Sequence, residues 1–244
     1  MTLAPPKKRR RLLLPELSPG ERLLSQEASH YLMTVLRLKV GETLELFDGA
    51  GTSADGQLLK AEKKLARINI SELRQHLPTS PALTAAVAPP KGERAELIIE
   101  KLCELGVARI VWLQSERSVT LPSQTKQRHQ RKERIAQAAA SQSGRFFVPS
   151  IEGPLSLEAF LEEKFDKQYL AHFAPGFLHD ELPGLAGANT LSLIIGPEGG
   201  FTDNELRQIQ DAGYLPRRLG HHTLRSETAA IAGVALLMRA EKQP

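Results

Sequence analysis

The chain has 244 residues, 41% hydrophobic and 25% charged, enough to bury a sizeable core, and no apolar run approaches the ~20 residues that a membrane-spanning helix requires. Its single cysteine, Cys103, excludes an intramolecular disulfide and a Cys-rich zinc site, as expected of a protein from a reducing compartment. The net charge of +4 is unevenly spread: residues 1–76 hold 13 Lys/Arg against 9 Asp/Glu and the remainder 19 against 19, which suggests a small basic module joined to a larger neutral one.

The chain opens MTLAPPKKRRRLLLPEL, where the apolar stretch is only three leucines before Pro15, too short for a signal-peptide core, so a cytoplasmic protein is expected. Glu42–Phe47 and Leu65–Ile70 alternate polar and apolar residues as half-buried strands do. Asp48-Gly49 and Asp55-Gly56 read as turns. GAGTSA at 49–54 mimics part of a dinucleotide fingerprint, but no helix follows it, and it reads as a hairpin loop. A compact β-barrel or sandwich over residues 1–76 is expected, then the proline-containing linker HLPTSPAL, then a second domain over 80–244.

From Leu83 the texture becomes α/β. LTAAVAP reads as a buried strand. In Glu93–Leu105, apolar Ala95, Ile98, Leu102 and Leu105 share one helix face, with Gly106 at the C-cap position. VARIVWL is the next strand, and Lys126–Ser143 is a helix with a basic first half (Lys126, Arg128, Arg131, Lys132, Arg134) closed by Gly144. Strands return at Gln168–His172 and Leu191–Ile195, and the alternation argues for a parallel sheet covered on both faces.

The last of these strands runs into IIGPEGGF at 194–201. Thr202 and Glu205 after it form a capping box, with Phe201 and Leu206 as the hydrophobic staple. A strand, a Gly-rich loop and a helix usually signal phosphate binding. Here there is no Walker lysine and no G-x-G-x-x-G, and Glu198 would repel a phosphate. The loop suits a ligand with an adenosine but no phosphates; S-adenosylmethionine, whose sulfonium is positive, is such a ligand. A second constellation, LGHHTLRSET at 219–228, precedes a helix of small and apolar residues, with Ser226 as its expected N-cap and Glu227 in its first turn. Arg225, directly before that helix, suits a site where negative charge develops.

GPEGGF-T-x-x-E, then Leu-Gly, then Leu-Arg-x-Glu-Thr-Ala-Ala together resemble the RsmE family of SPOUT methyltransferases, which methylate N3 of a uridine in small-subunit (16S) ribosomal RNA. HYLMTVLR at 30–37, LFDG, KGERAELIIEKLCELGV at 91–107, SER at 115–117 and Gln142-Ser143-Gly144-Arg145 resemble the family's other signatures in the family's order. The resemblance implies a PUA-like β-barrel that binds RNA, followed by an α/β domain threaded into a deep trefoil knot, and a homodimer with each site completed near the subunit interface. It also implies S-adenosylmethionine held by Ala171, His172, the 195–200 loop (Ile195, Gly196, Pro197, Glu198, Gly199, Gly200) and the segment containing Leu219, Gly220 and Leu224. Arg225 would stabilise the uridine anion, with Glu198 or Glu227 accepting the proton. Arg10, Arg11, Arg37, Lys91, Arg94, Arg117 and Arg145 are the expected RNA contacts, joined by the basic face of 126–134. One departure is His222, preceded by His221, where the family usually has an Arg; adjacent histidines rarely present both rings to one ion, and no metal is expected.

Overall fold

In a computed structural model, residues 10–62, 64–90, 92–118, 125–172, 185 and 187–240 are described. They fall into two units: the first holds the described residues up to Pro78 together with Ala140–Phe147, the second Thr79–Ala139 and the described residues from Val148 onward.

The first unit is built on one mixed sheet. Strands β1 (Arg11–Leu13), β2 (Gly20–Leu23), β3 (Thr43–Phe47), β4 (Thr52–Glu62) and β5 (Leu65–Ile70) lie in the order β1-β3-β4-β5-β2, with the short β6 (Arg74–Gln75) also pairing with β4. The alternation in β3 and β5 sends Leu44, Leu46, Ala66, Ile68 and Ile70 into a core shared with Leu12, Leu24, Leu32 and Leu58. The expected turn at Asp55-Gly56 is not formed. Both residues lie inside β4, where Gly56 pairs with Leu44 and with Ile70, and a Cβ at Gly56 would sit 2.8 Å from Leu46 Cδ1. The glycine permits a close approach within the sheet rather than a reversal of the chain. The Asp48-Gly49 turn does form, its Asp48 carboxylate accepting from the Ala50 and Thr52 amides. Helix α1 (Gln26–His30) runs into a π-helical turn over Tyr31–Val35.

The second unit is a parallel sheet of six strands in the order β12-β10-β11-β7-β8-β9: β7 (Ala82–Val87), β8 (Arg109–Gln114), β9 (Ser150–Ser156), β10 (Lys167–Ala171), β11 (Thr190–Ile195) and β12 (Leu215–Arg217). Helices α2 (Arg94–Glu104), α3 (Lys126–Ser143), α4 (Leu157–Leu161), α5 (Asp203–Asp211) and α6 (Ser226–Ala240) are distributed among the strands. The near-continuous apolar runs of the central strands follow from burial on both faces. On one face Leu83, Ala85, Val87, Leu191, Leu193 and Ile195 pack with Ile98, Ile99, Leu102, Ala230 and Val234 of α2 and α6. On the other, Ala86, Val111, Leu113 and Ile194 pack with Phe160, Phe201, Ile209 and Tyr214. The small residues of α6 allow close approach to the sheet: a methyl at Gly233 would stand 2.8 Å from Leu193 Cδ2.

Candidate functional site

The chain order of the second sheet reverses around β10, β11 and β7, and open α/β sheets bind ligands at the carboxyl ends of strands beside such reversals. A cavity of about 230 Å³ lies there. Ala171 and His172 supply the end of β10; Ile195, Gly196, Pro197, Glu198, Gly200 and Phe201 supply β11 and the loop after it; Leu219, Gly220, His222, Thr223 and Leu224 form the opposite wall, with Ser226 and Ala229 from α6. Every expected cofactor residue except Gly199 lines this cavity.

The loop is fixed from several sides. Gly200 takes φ +69° and its amide closes a turn onto the Pro197 carbonyl at 2.9 Å. A Cβ at Gly196 would meet the Phe201 ring at 2.8 Å, so the glycine lets that aromatic fold under the loop. Thr202 Oγ1 accepts from the Glu205 amide at 3.3 Å and Glu205 Oε2 accepts from the Thr202 amide at 2.8 Å, which completes the capping box. The other oxygen of Glu205, a residue only 4% exposed, accepts from the Glu116 amide at 2.7 Å. Arg117 Nη1 donates to the carbonyls of Gly199 (3.2 Å) and Phe201 (3.4 Å). Gly199 is therefore a fixing point on the outside of the loop instead of a lining residue.

Ser226 does not cap α6. The helix begins at Ser226 itself, the Ala229 amide donates to the Arg225 carbonyl at 2.8 Å, and Ser226 Oγ donates to the Gly196 carbonyl at 3.2 Å. The serine ties the two site segments together. Arg225 is exposed and outside the cavity lining, and Glu227 is nearly buried, its side chain 12% exposed. His172 sits half-buried at the cavity wall, and burial lowers its pKa below the ordinary 6.5. Thr223 lines the cavity within the expected 219–224 segment, while Phe201, Ser226 and Ala229 line it beyond the residues expected from the sequence; the i, i+3 spacing of Ser226 and Ala229 is the sequence signal for the last two.

The expected RNA contacts have different fates. Arg37 is exposed and adopts a left-handed backbone (φ +52°) just after the π-turn. Arg10 is exposed and paired with Glu42 at 2.6 Å. Arg11 must be corrected: it is 6% exposed, its Nε donates to Glu45 at 2.6 Å, its Nη1 donates to the carbonyls of Ala140 (2.9 Å) and Arg145 (3.0 Å), and its guanidinium lies over the Phe47 and Phe146 rings. Its charge serves the interior, closing the C-terminal end of α3 onto the first unit's sheet, and is not available to a phosphate. Arg145 lies at that same junction, its amide donating to the Ala140 carbonyl. Arg94 is half-buried and Arg117 exposed, and both are bonded within the protein, Arg94 to Glu198 and Arg117 to the loop. On α3, Arg128 and Arg134 are exposed, Arg131 pairs with Glu96 at 2.7 Å, and Lys132 lies 5.5 Å from the Trp112 ring centre. Lys91 and residues 7–9 lie outside the described residues.

Known proteins agree with this architecture. The family model described as "RNA methyltransferase domain" matches residues 78–238, and the one described as "RNA methyltransferase PUA domain" matches 24–71. Ribosomal RNA small subunit methyltransferase E of Synechocystis sp. is 35% identical over 213 residues, covering 84% of this chain and 69% of that protein. The protein of the same name from Rickettsia conorii is 34% identical, with 87% of each chain covered. The crystal structure of ribosomal RNA small subunit methyltransferase E from Neisseria gonorrhoeae, bound to S-adenosyl methionine, superposes with a TM-score of 0.84 at 29% identity, covering 95% of this chain and 97% of that one. With its two-part family match, its coverage of these relatives and the shared fold, the chain belongs to the ribosomal RNA small subunit methyltransferase E family.

Proposed function

We propose that this protein is an S-adenosylmethionine-dependent methyltransferase acting on N3 of a uridine in 16S ribosomal RNA. The observation that carries the reading is the character of the cavity: it stands at the strand ends of a parallel sheet, and among the described residues the only Asp, Glu, Lys or Arg lining it is Glu198. A wall without lysine or arginine has nothing to neutralise a polyphosphate, whereas one carboxylate suits a sulfonium. The donors at the start of α5 are moreover partly used by the capping box. Backbone groups at 195–200 and 219–224 would hold the adenosine, with Ile195, Leu219, Leu224 and Ala229 as apolar walls.

The cofactor supplies an electrophilic methyl group carried on a sulfonium. This chain's residues align the acceptor nitrogen and handle its proton. Arg225, exposed at the start of α6, stabilises the charge that spreads onto the uridine oxygens, and one of the two nearby carboxylates, Glu198 or Glu227, accepts the N3 proton.

The domain over residues 1–76 acts as a PUA-like RNA-binding barrel and that over 80–244 as the SPOUT transferase, threaded as a trefoil knot. The return of the chain from edge strand β12 through 219–224 to the centre of the sheet supports such a threading. The RNA is tracked by exposed cations, Arg10, Arg37 and the basic half of α3 among them, and the protein works as a homodimer in the cytoplasm. No described helix is long and apolar enough to cross a membrane.

The test is to incubate the protein with labelled S-adenosylmethionine and small ribosomal subunits lacking the modification, then to digest the RNA and identify the nucleoside. Labelled 3-methyluridine is expected. A ribose-methylated product would move the target elsewhere, and donor binding without transfer would make the chain an assembly factor that has kept the pocket.

A further inference from the structure

Arg94, in the first turn of α2, reaches two carboxylates that belong to other elements. Its Nη1 donates to Glu198 Oε1 at 2.7 Å, and its Nε stands 3.7 Å from Glu227 Oε1. Glu198 comes from the loop after β11 and lines the cavity; Glu227 comes from the first turn of α6 and, like Arg94, does not line it. The second oxygen of Glu227, Oε2, is buried without a hydrogen-bond partner. An unmatched buried carboxylate oxygen costs stability, and it is tolerated here beside a cation that faces both acids.

Among the described residues, this cluster of two carboxylates and one guanidinium carries one net negative charge, with Glu198 as its member on the cavity wall. Arg117, which follows β8, donates to the Gly199 and Phe201 carbonyls and does not line the cavity. On the reading that the cavity takes a sulfonium donor, that net charge bears on a particular discrimination, because the donor is cationic and the thioether left after transfer is neutral.

We infer that Arg94 is a positioning residue that sets this discrimination: it holds the Glu198 carboxylate at the cavity and cancels one of the two acidic charges, so that the donor is preferred over the spent product without being trapped. Apart from the transferred methyl group, shape and apolar contact act on both ligands alike. The electrostatic part differs between them, and it alone falls with screening.

The experiment is calorimetric titration of the full chain with S-adenosylmethionine and, separately, with S-adenosylhomocysteine, for the wild type, Arg94→Met, Arg94→Lys and Glu198→Gln, at low and high salt. The ratio of the two affinities should rise about threefold or more in Arg94→Met, fall by a similar factor in Glu198→Gln, and return to the wild-type value in Arg94→Lys. These differences should shrink at high salt. Parallel weakening of both ligands in Arg94→Met, or an unchanged ratio in both uncharged variants, overturns the inference while leaving the cofactor assignment standing. Failure of the wild type to bind either ligand removes the cofactor assignment itself and this inference with it.

Discussion

The hydroxyl of Ser226 donates to the carbonyl of Gly196 across 3.2 Å, joining the first residue of α6 to the first residue of the Gly-rich loop. Thirty positions separate the two in sequence, and both line the same cavity. Ser226 is only 5% exposed and Gly196 is half-buried, so loss of the hydroxyl removes a partly sheltered bond. Ser226→Ala should cost about 1 kcal/mol in denaturant unfolding and should also weaken donor binding. A variant with unchanged unfolding midpoint and unchanged donor affinity would show that the bond matters to neither.

Arg117 and Glu205 hold the same loop from its outer side. Arg117→Ala removes the donor to the Gly199 and Phe201 carbonyls and leaves the loop less ordered before the ligand arrives. The Kd for S-adenosylmethionine should rise about threefold to tenfold, since the ligand must then order the loop, while affinity for RNA at saturating donor stays near wild type. Calorimetry and filter binding separate the two. An RNA defect with normal donor affinity would instead make Arg117 an RNA contact.

Gly233→Ala opposes two effects. Replacing glycine inside α6 gains about 1 kcal/mol of helix propensity. The added methyl, however, meets Leu193 Cδ2 at 2.8 Å and Leu219 Cδ1 at 3.2 Å, and Leu193 is buried at 1% exposure with no room to withdraw. Overpacking of that kind costs about 1–3 kcal/mol, so the variant should be less stable by thermal melting. Leu219 is the neighbour with freedom to move and it lines the cavity, so donor binding should weaken as well.

Arg11→Met should be among the most damaging single changes in the first unit. It strands the Glu45 carboxylate, 15% exposed, and removes the guanidinium donor to the Ala140 and Arg145 carbonyls, of which Ala140 keeps the Arg145 amide. Removal of one partner from a buried pair costs on the order of 3 kcal/mol. Urea unfolding followed by hydrogen exchange would place the loss in the first unit. Unaltered stability together with weakened RNA binding would return Arg11 to the surface role expected from its sequence context.

His172 gives the site a pH dependence whose sign is fixed by burial. Its pKa is held below 6.5, so well above that pH the ring is neutral in both folded and unfolded chains and contributes no difference. As pH falls below 6.5 the unfolded chain takes up the proton first, and native stability declines until the folded ring is protonated too. Within the cavity, that protonation places a positive charge beside a site for a cationic ligand, so donor affinity should fall at acid pH, and the fall should be smaller in His172→Gln. An NMR titration of the ring checks the shift directly, and a midpoint at or above 6.5 would refute it.

The local grammar of the chain was decisive for what depends on near neighbours. The Thr202/Glu205 box, the helix over Lys126–Ser143 and the strands at Leu65–Ile70 and Leu191–Ile195 follow from caps and periodicities spanning fewer than twenty residues, and the structure has them in place. The absence of a Walker lysine likewise needs no coordinates. Tertiary structure alone decided where the arginines go. Arg10 and Arg11 are adjacent and equally basic, yet one is exposed and the other is buried against carbonyls some 130 positions away. Arg94 finds Glu198 at a separation of 104 residues, Ala140–Phe147 packs with the first unit, and Asp55-Gly56 extends a strand where its dipeptide reads as a turn. A charge or a glycine carries no local mark of its partner: the energy of an ion pair or a close backbone contact is set by distance in space, and only the folded chain fixes that distance.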